Sequence, residues 1–408
     1  PHPPAVPVGE LLDMVDRTVR TETGEARERV VVRHPLQPFD PKNFTVGELV
    51  PERPWGFDPV MLAGARAMSA ERTRAGPFLA GPLPGAPAAI VEVEDLLRFL
   101  QHPVRAFLRQ RLGVSLRDFS EEVEDALPVE LDGLEQWGVG QRLLEVRLAG
   151  GDLETAVAAE LARGTLPPGE LAGPVLDRVR PIVEGVAGQA EAVLAATAES
   201  GSVDVKVRLG DGRTLSGTVA DVCGDVVRAV SYSRVSAKHR LAMWVRWLAL
   251  TAAYPERPFE AAVVGRARQG ARNAEVTIVR LPVLAPDAAT RRELALEHLA
   301  ALVDLYDRGM REPLPLACLS SAAYAKGRKP ETAGRKAWES EHNFDKEDKD
   351  LEHQLAFGGV RTFAGLLQES PRPDEAGDGW DVSETTRFGR YARRLWTPLL
   401  AHEEVIDR

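Results

Sequence analysis

The sequence has little of what several protein classes require. It contains only two cysteines, Cys223 and Cys318, far apart along 408 residues. This excludes a CxxC pair, a cysteine zinc cluster and a disulfide framework, and it favours a reducing, cytoplasmic compartment. No apolar run reaches the roughly 18 residues of a membrane helix, since even 241–254 is interrupted by Arg246. No signal peptide is visible, and no membrane association is expected.

Catalytic and cofactor motifs are also scarce. The chain has no G-x-S-x-G, Walker loop or G-x-G-x-x-G motif. Nothing therefore supports a hydrolase, an ATPase or a dinucleotide-dependent dehydrogenase, and no cofactor is expected. The net charge of −10 argues against a protein that coats DNA, so nucleic-acid contacts require local basic patches. The chain begins with Pro1 rather than Met, and we expect it to be part of a longer protein.

What is present indicates a helix-rich α/β protein. Glycine and proline pairs at 76–88 predict a boundary between an N-terminal segment, 1–88, and a main domain, 89–408. In the first segment, a helix begins near residue 8, a short strand is expected at 30–32, and 34–44 reads as an ordered loop pinned by Phe39 and Phe44. Helical periodicity marks 96–108, broken at Pro103, and 132–200.

At residue 203 the apolar period changes from 3.6 to 2. Three alternating runs, with turns at 210–212 and 224–225, predict an antiparallel meander over 203–235. A helix is expected at 237–253, and two further strands at 259–266 and 274–280. Helices fill most of the remainder, so the order of elements indicates a mixed α/β domain.

Four stretches together resemble the C-terminal third of the RecC family, the gamma subunits of bacterial exodeoxyribonuclease V. They are HPLQPF (34–39), LLRFLQHPVRAFLRQRLGV (96–114), LDGLEQWGVGQRLLE (131–145) and YDRGMREPLPL (306–316). The resemblance implies a non-catalytic partner of the RecB helicase-nuclease and the RecD helicase in double-strand break repair by homologous recombination. It also implies a PD-(D/E)XK nuclease-like domain without a working active site, which helps to hold and split duplex or forked DNA. Residues 1–88 would end a helicase-like domain, and hotspot recognition would lie before Pro1.

The resemblance also locates the lost nuclease site. Active members place a metal-binding His on a helix, then G-x-x-D and D-Y-K on two strands, so that carboxylates hold Mg²⁺ and the lysine orients water. The matching positions here are Gln141, Asp221 in GTVAD (217–221), and Ser231 and Ser233 around Tyr232. Serine replaces neither the carboxylate nor the lysine. We therefore predict no catalytic residue and no metal.

Two other polar clusters deserve comparison with this prediction. Asp204 and Lys206 spell D-x-K on the first strand of the meander, and with Asp221 they define the alternative of an active nuclease whose site has migrated. The strand order is wrong for that fold, and an outward polar face is the simpler interpretation. The pairs Glu341/His342 and Glu352/His353 read as a solvated helical face rather than as metal ligands.

Three basic windows are candidate DNA contacts. The first, 98–117, carries Arg98, Arg105, Arg109, Arg111 and Arg117, which could equally form the polar side of a packed helix. The second, 228–246, combines Lys238 and Arg240 with Trp244 and Trp247, which suit stacking on single-stranded bases, although their helical spacing more often indicates core packing. The third, 324–338, reads as a flexible basic loop with flanking Tyr324 and Trp338; its candidates are Lys326, Arg328, Lys329, Arg335 and Lys336. A third interpretation is a protein-interaction module without DNA contact.

Overall fold

The computed structural model describes residues 5–71, 78–116, 130–193, 200–268, 270–271, 273–341 and 344–408. The chain forms two compact units, Pro1–Ala75 and Gly76–Arg408. The division therefore lies before the glycine- and proline-rich stretch at 76–88, whereas the sequence suggested a boundary after it. The assignment of the units to a helicase-like end and a nuclease-like domain stays a prediction.

In its described residues, 5–71, the first unit contains three α-helices and an irregular loop with one short 3-10 helix, Pro41–Asn43. The helices are α1 (Val6–Thr18), α2 (Ala26–Val30) and α3 (Pro59–Ser69). The strand predicted at 30–32 is wrong, because Val30 ends α2 and no strand of this unit, among its described residues, is available to pair with it. The ordered loop is confirmed: the Asn43 side chain donates to the carbonyls of Gln37 and Pro38 at 3.1 and 3.2 Å, and a Cβ on Gly56 would lie 2.6 Å from the Phe44 ring.

The second unit is a mixed α/β domain, as predicted, with helices on both sides of a seven-stranded sheet. Its strands are β1 (Ile90–Glu92), β2 (Ser200–Arg208), β3 (Thr214–Cys223), β4 (Val226–Arg234), β5 (Glu260–Arg266), β6 (Val276–Leu281) and β7 (Glu404–Asp407). Its helices are α4 (Val93–Gln101), α5 (Pro103–Ala106), α6 (Gly133–Leu148), α7 (Leu153–Arg163), α8 (Gly173–Val193), α9 (Ala237–Ala253), α10 (Ala288–Gly309), α11 (Cys318–Lys326), α12 (Pro330–Trp338), α13 (Leu351–Phe357), α14 (Phe363–Leu366) and α15 (Arg387–His402).

The meander is confirmed, although its strands pair unevenly. β2 runs antiparallel to β3 along most of its length, with Asp204 opposite Thr218. β3 and β4 pair only at the turn, through Val222–Val227 and Cys223–Val226, while β1 pairs in parallel with the start of β3 at 214–216. β4 then continues parallel to β5. The predicted helix at 237–253 and the two later strands are also confirmed.

The apolar core occupies both faces of the sheet. Side chains alternate along a strand, so Val263 joins a cluster with α4, α9, α10 and α15, whereas Val264 joins a second cluster with α6 and α8. In β6, Val279 likewise joins the first cluster and Ile278 the second. This three-layer arrangement fixes α6 against one face and α9 against the other. Within the described part of the chain, no helix is long and apolar enough to cross a membrane.

The predicted flexible loop at 324–338 is instead a pair of packed helices. α11 and α12 are joined by Gly327, Arg328 and Lys329, and Pro330 opens α12, where a missing N–H costs nothing. A Cβ on Gly327 would lie 2.8 Å from the Ala333 Cβ and 2.9 Å from the Ala323 carbonyl oxygen. The close approach therefore requires glycine and makes a rigid turn.

Candidate functional site

Three of the four degenerate nuclease positions lie together where α6 crosses β4. The Gln141 Oε1 atom accepts from the Tyr232 backbone N–H at 2.9 Å and from the Ser231 hydroxyl at 3.4 Å. The Ser233 N–H donates to the Ser231 Oγ at 3.1 Å, and the Ser233 hydroxyl accepts from the Trp137 indole at 2.8 Å. These groups are neutral, and the Gln141 Nε2 atom donates outside the set, to the Glu145 carboxylate at 3.0 Å.

Close packing between α6 and β4 holds this neutral network. A Cβ on Gly140 would lie 2.3 Å from the Tyr232 ring, so the helix backbone rests directly on the ring. Tyr232 is fully buried, and the Arg266 guanidinium lies over its ring at 5.0 Å. Burial raises the pKa of Tyr232, although the charges of Arg266 and Arg178 oppose the shift. A buried, neutral phenol gives this position no acid or base that could act on a substrate.

The fourth position, Asp221, does not join the network. Its carboxylate is exposed, its backbone has a φ of 58°, and the described contact of its side chain is with the Ser200 hydroxyl at 3.4 Å. Asp221 lies next to the Val222–Val227 pair, at the turn between β3 and β4.

The alternative acidic pair lies on the outer face of β2. Asp204 and Lys206 are exposed, whereas the alternate residues Val205 and Val207 are buried. The Asp204 carboxylate accepts from the Thr218 hydroxyl at 2.6 Å. The pattern agrees with an outward polar strand face, and Asp204 lies opposite Thr218 rather than Asp221.

The structure places Arg105, from the first basic window, in an internal ion pair. Its Nε donates to Glu352 at 2.7 Å, and its Nη2 donates to Asp350 at 3.2 Å. The hydrogen bond with Glu352 is the main cause of its raised pKa. Arg109 is exposed and has no side-chain partner among the described residues, while Arg117 lies outside them. Of this window's two leading candidates, Arg109 therefore remains available to DNA and Arg105 is occupied.

The second window is mostly structural. Arg240 is paired with the buried carboxylate of Glu403. Trp244 and Trp247 are core residues, and the Trp247 indole donates to the Phe259 carbonyl at 2.8 Å. The suggestion that these aromatics stack on single-stranded bases is therefore wrong, because their faces are covered. Lys238 is exposed at the start of α9.

The third window keeps all its basic candidates at the surface. We use "hairpin surface" for five exposed residues at the α11–α12 turn and on α12: Lys326, Arg328, Lys329, Arg335 and Lys336. The flanking Tyr324 and Trp338 are buried and cannot stack on bases. The pKa of Lys326 is lowered, first by partial burial and then by the charges of Arg240 and Arg268, so the second and third windows meet here.

The base of this surface is fixed by α15. The Arg393 Nη1 donates to the Ala325 carbonyl at 2.7 Å, and the Tyr324 hydroxyl donates to Glu384 at 2.9 Å. The first bond ties the end of α11 to α15, and the second ties it to the segment just before α15. The hairpin surface is therefore a preorganised patch of positive charge in a chain that is acidic overall.

Sequence reasoning missed one cluster, formed by His102, Asp350 and His353. The expectation of a solvated face for Glu352 and His353 is wrong, because both are buried, at 6% and 3% exposure. Burial, followed by the charge of His102, lowers the pKa of His353 to about 4. The Asp-x-x-His spacing at the start of α13 was the available signal, although His102 is remote in sequence. His342 lies outside the described residues.

The comparisons with known proteins agree with the predicted family. A family model described as the RecC C-terminal domain matches residues 88–329. The "RecBCD enzyme subunit RecC" of Mycobacterium tuberculosis is 41% identical over 409 aligned positions, which cover 99% of this chain and 35% of that protein. The subunit of the same name from Mycolicibacterium smegmatis is 39% identical, over 99% of this chain and 36% of that protein. The Escherichia coli subunit is 27% identical over 334 positions, covering 79% of this chain and 27% of its own length.

Each of these relatives is named as a subunit of a multisubunit enzyme. The chain belongs to the RecC C-terminal domain family. It spans about a third of the length of the mycobacterial relatives that it matches.

Proposed function

We propose that this chain is the DNA-handling, non-catalytic C-terminal part of a RecC subunit in a RecBCD-type enzyme. Its membership of the family carries the proposal, because the matched relatives are named as subunits of the RecBCD enzyme. RecB-like and RecD-like subunits would then supply the motor and cutting chemistry in break repair. A cytoplasmic location follows from that role as part of the same proposal.

The proposed loss of catalysis rests on the network around Gln141. If the domain is a PD-(D/E)XK relative, the helical histidine and the strand carboxylate and lysine are replaced by an amide and two hydroxyls that bond to one another. Hydroxyl and amide groups do not supply the anionic oxygens that hold Mg²⁺ in phosphoryl-transfer sites. Asp221 takes no part in these hydrogen bonds, and the carboxylate that does contact Gln141, that of Glu145, accepts from its Nε2 at 3.0 Å.

The hairpin surface is the best-supported DNA contact. Its five cations are exposed, lie on a rigid turn, and have no side-chain partners among the described residues. Exposed cations without partners can contact phosphates without breaking an existing ion pair and without reading sequence, which suits a surface that positions duplex DNA. Lys238 and Arg109 are secondary candidates, whereas Arg105 and Arg240 would have to break buried ion pairs to reach DNA.

Fluorescence anisotropy with a labelled forked duplex tests this proposal. The full chain is titrated at several salt concentrations, alongside the double variants Arg328→Ala/Lys329→Ala and Lys206→Ala/Arg208→Ala. The second pair is a matched control, because it removes one lysine and one arginine from the exposed face of β2. Each lost phosphate contact lowers the log–log salt slope by about 0.9, so the hairpin variant should lose about 2 units and the control none.

Two outcomes would contradict the proposed surface. Equal losses in both variants would mean that binding follows overall charge rather than the hairpin. Unchanged binding in the hairpin variant would favour a protein-interaction module, in which the same residues meet a partner subunit.

A further inference from the structure

We propose that Trp137 and the polar network behind it form a stacking site for an unpaired base of single-stranded DNA. The inference rests on the proposed DNA-handling function and adds a second kind of contact, to a base rather than to a phosphate. Trp137 lies on α6, at the edge of the Gln141 network. The hairpin surface belongs to other elements, α11 and α12, so the two contacts can be tested separately.

Trp137 is an exception among the tryptophans of the second unit. The other five are buried, whereas Trp137 keeps 38% of its surface exposed. Leu134, three residues earlier and therefore a neighbour on the same face of α6, is 73% exposed. Gly133, one turn before Trp137, carries no side chain, and its Cβ position has no atom within 4 Å in the described part of the chain. On this side of α6, the indole is therefore open to a ligand.

Hydrogen bonds hold the exposed ring in one orientation. The Trp137 indole N–H donates to the Ser233 hydroxyl at 2.8 Å, and the Ser233 backbone N–H donates to the Ser231 hydroxyl at 3.1 Å. The Ser231 hydroxyl in turn donates to the Gln141 Oε1 atom at 3.4 Å. Because the indole N–H is already bonded, a ligand meets the hydrocarbon surface of the ring. The neutral network therefore positions an aromatic surface.

The groups around the ring favour a base over a phosphate. The Ser233 hydroxyl accepts from Trp137, and its own proton has no acceptor among the described residues, so it can donate to a carbonyl oxygen or a ring nitrogen of a base. The charged group bonded to the network is the Glu145 carboxylate, which accepts from the Gln141 Nε2 atom at 3.0 Å and would repel a phosphate. Stacking on an aromatic ring needs no charge and tolerates any base.

The same chemistry selects single strands. In a duplex both faces of each internal base are covered by its neighbours, whereas a single strand can turn one base towards Trp137 and keep its phosphates in solvent. The site would therefore hold a separated strand of a fork by a base, while the hairpin surface contacts the backbone.

Fluorescence anisotropy with two labelled oligomers of equal length tests the site. One is oligothymidylate, and the other has the same sugar–phosphate backbone without bases, so the pair differs only in the groups that can stack. We expect the unaltered full chain to bind oligothymidylate at least about fivefold more tightly, the lower end of what one stacked base contributes. Trp137→Leu should remove this preference and leave binding of the abasic oligomer unchanged, whereas Trp137→Phe should keep most of it.

Two variants serve as matched controls. Trp55→Leu removes the exposed tryptophan of the first unit and should keep the preference for oligothymidylate. Arg328→Ala/Lys329→Ala should weaken binding of both oligomers by the same factor, because the hairpin surface contacts the backbone that they share.

The outcomes separate this site from the proposed function. If Trp137→Leu, shown by circular dichroism to be folded, keeps the preference for oligothymidylate, the stacking site is overturned and the hairpin contact stands. Equal binding of the two oligomers by the unaltered chain has the same meaning. A chain that binds neither oligomer at low salt contradicts both the stacking site and the DNA-handling function.

Discussion

Replacing Glu375 by alanine is expected to destabilise the second unit strongly, because its carboxylate is the centre of a buried ionic network. Glu375 has no exposed surface. It accepts from the Arg387 Nε at 2.7 Å, from the Tyr391 hydroxyl at 2.8 Å and from the Arg372 N–H at 2.9 Å. Burial by itself would lower the pKa of Arg387, but the surrounding groups, with Glu312 and Glu375 among them, raise it overall, so the guanidinium stays charged.

The magnitude follows from what the substitution leaves behind. Removing one partner of a buried ion pair costs about 3–5 kcal/mol, because the other charge remains desolvated. Arg387 would keep Glu312 at 2.8 Å and Glu369 at 3.4 Å, so we expect the lower end, about 3 kcal/mol. The exposed pair of Asp225 with Arg257, at 2.7 Å, should be worth only about 0–1 kcal/mol.

Urea denaturation followed by circular dichroism measures both changes. Glu375→Ala should lower the free energy of unfolding by about 3 kcal/mol, and the control Asp225→Ala should change it by less than about 1 kcal/mol. A loss below about 1 kcal/mol for Glu375→Ala would refute the reasoning, since it would mean that the buried network is not a net stabilising unit.

Three further predictions concern other parts of the second unit. Gly140→Ala should destabilise the domain by about 1–3 kcal/mol in the same urea assay, because the new methyl group would collide with the Tyr232 ring. The control is Gly188→Ala in α8, where a Cβ would have no atom within 4 Å. Arg240→Ala should lower the urea midpoint of unfolding, because Glu403 would stay buried without its partner. The same variant should leave the salt dependence of DNA binding unchanged. A smaller log–log salt slope would mean that Arg240 does contact DNA. Burial, and then the charge of His402, lower the pKa of His298, so the unfolded chain binds its proton more readily and stability should fall as pH drops below about 6.5. His298→Gln should reduce the slope of that part of the pH profile, to which the lowered pKa values of His239 and His353 also contribute, and an unchanged slope would contradict this assignment.

Sequence reasoning located the elements that depend on local pattern. The alternation around Val203–Leu209 and the turn at 210–212 specified β2 and β3, because a strand with one buried face repeats every two residues. The strand expected at 30–32 failed, since β-branched residues favour a strand only where a neighbour can pair.

The partners of charged side chains were beyond the reach of the sequence. Arg105 and Arg240 looked like DNA contacts until the fold brought them to Glu352 and Glu403, which are remote in sequence. The same long-range packing buried His353 against His102 and Trp338, where a charged neighbourhood had suggested solvent. By contrast, the family resemblance pointed to Gln141, Asp221, Ser231 and Ser233 as one degenerate site, and hydrogen bonds join the first, third and fourth of these while Asp221 contacts Ser200.

The proposal that this chain handles DNA but does not cleave it is tested most directly by a cleavage assay. The purified chain is incubated with labelled forked duplex and either Mg²⁺ or Mn²⁺, and the strands are separated on a denaturing gel. The account predicts that the DNA stays intact. Metal-dependent cutting that is lost in Asp204→Ala or Asp221→Ala, but kept in Asp225→Ala, would contradict it and establish a migrated nuclease site.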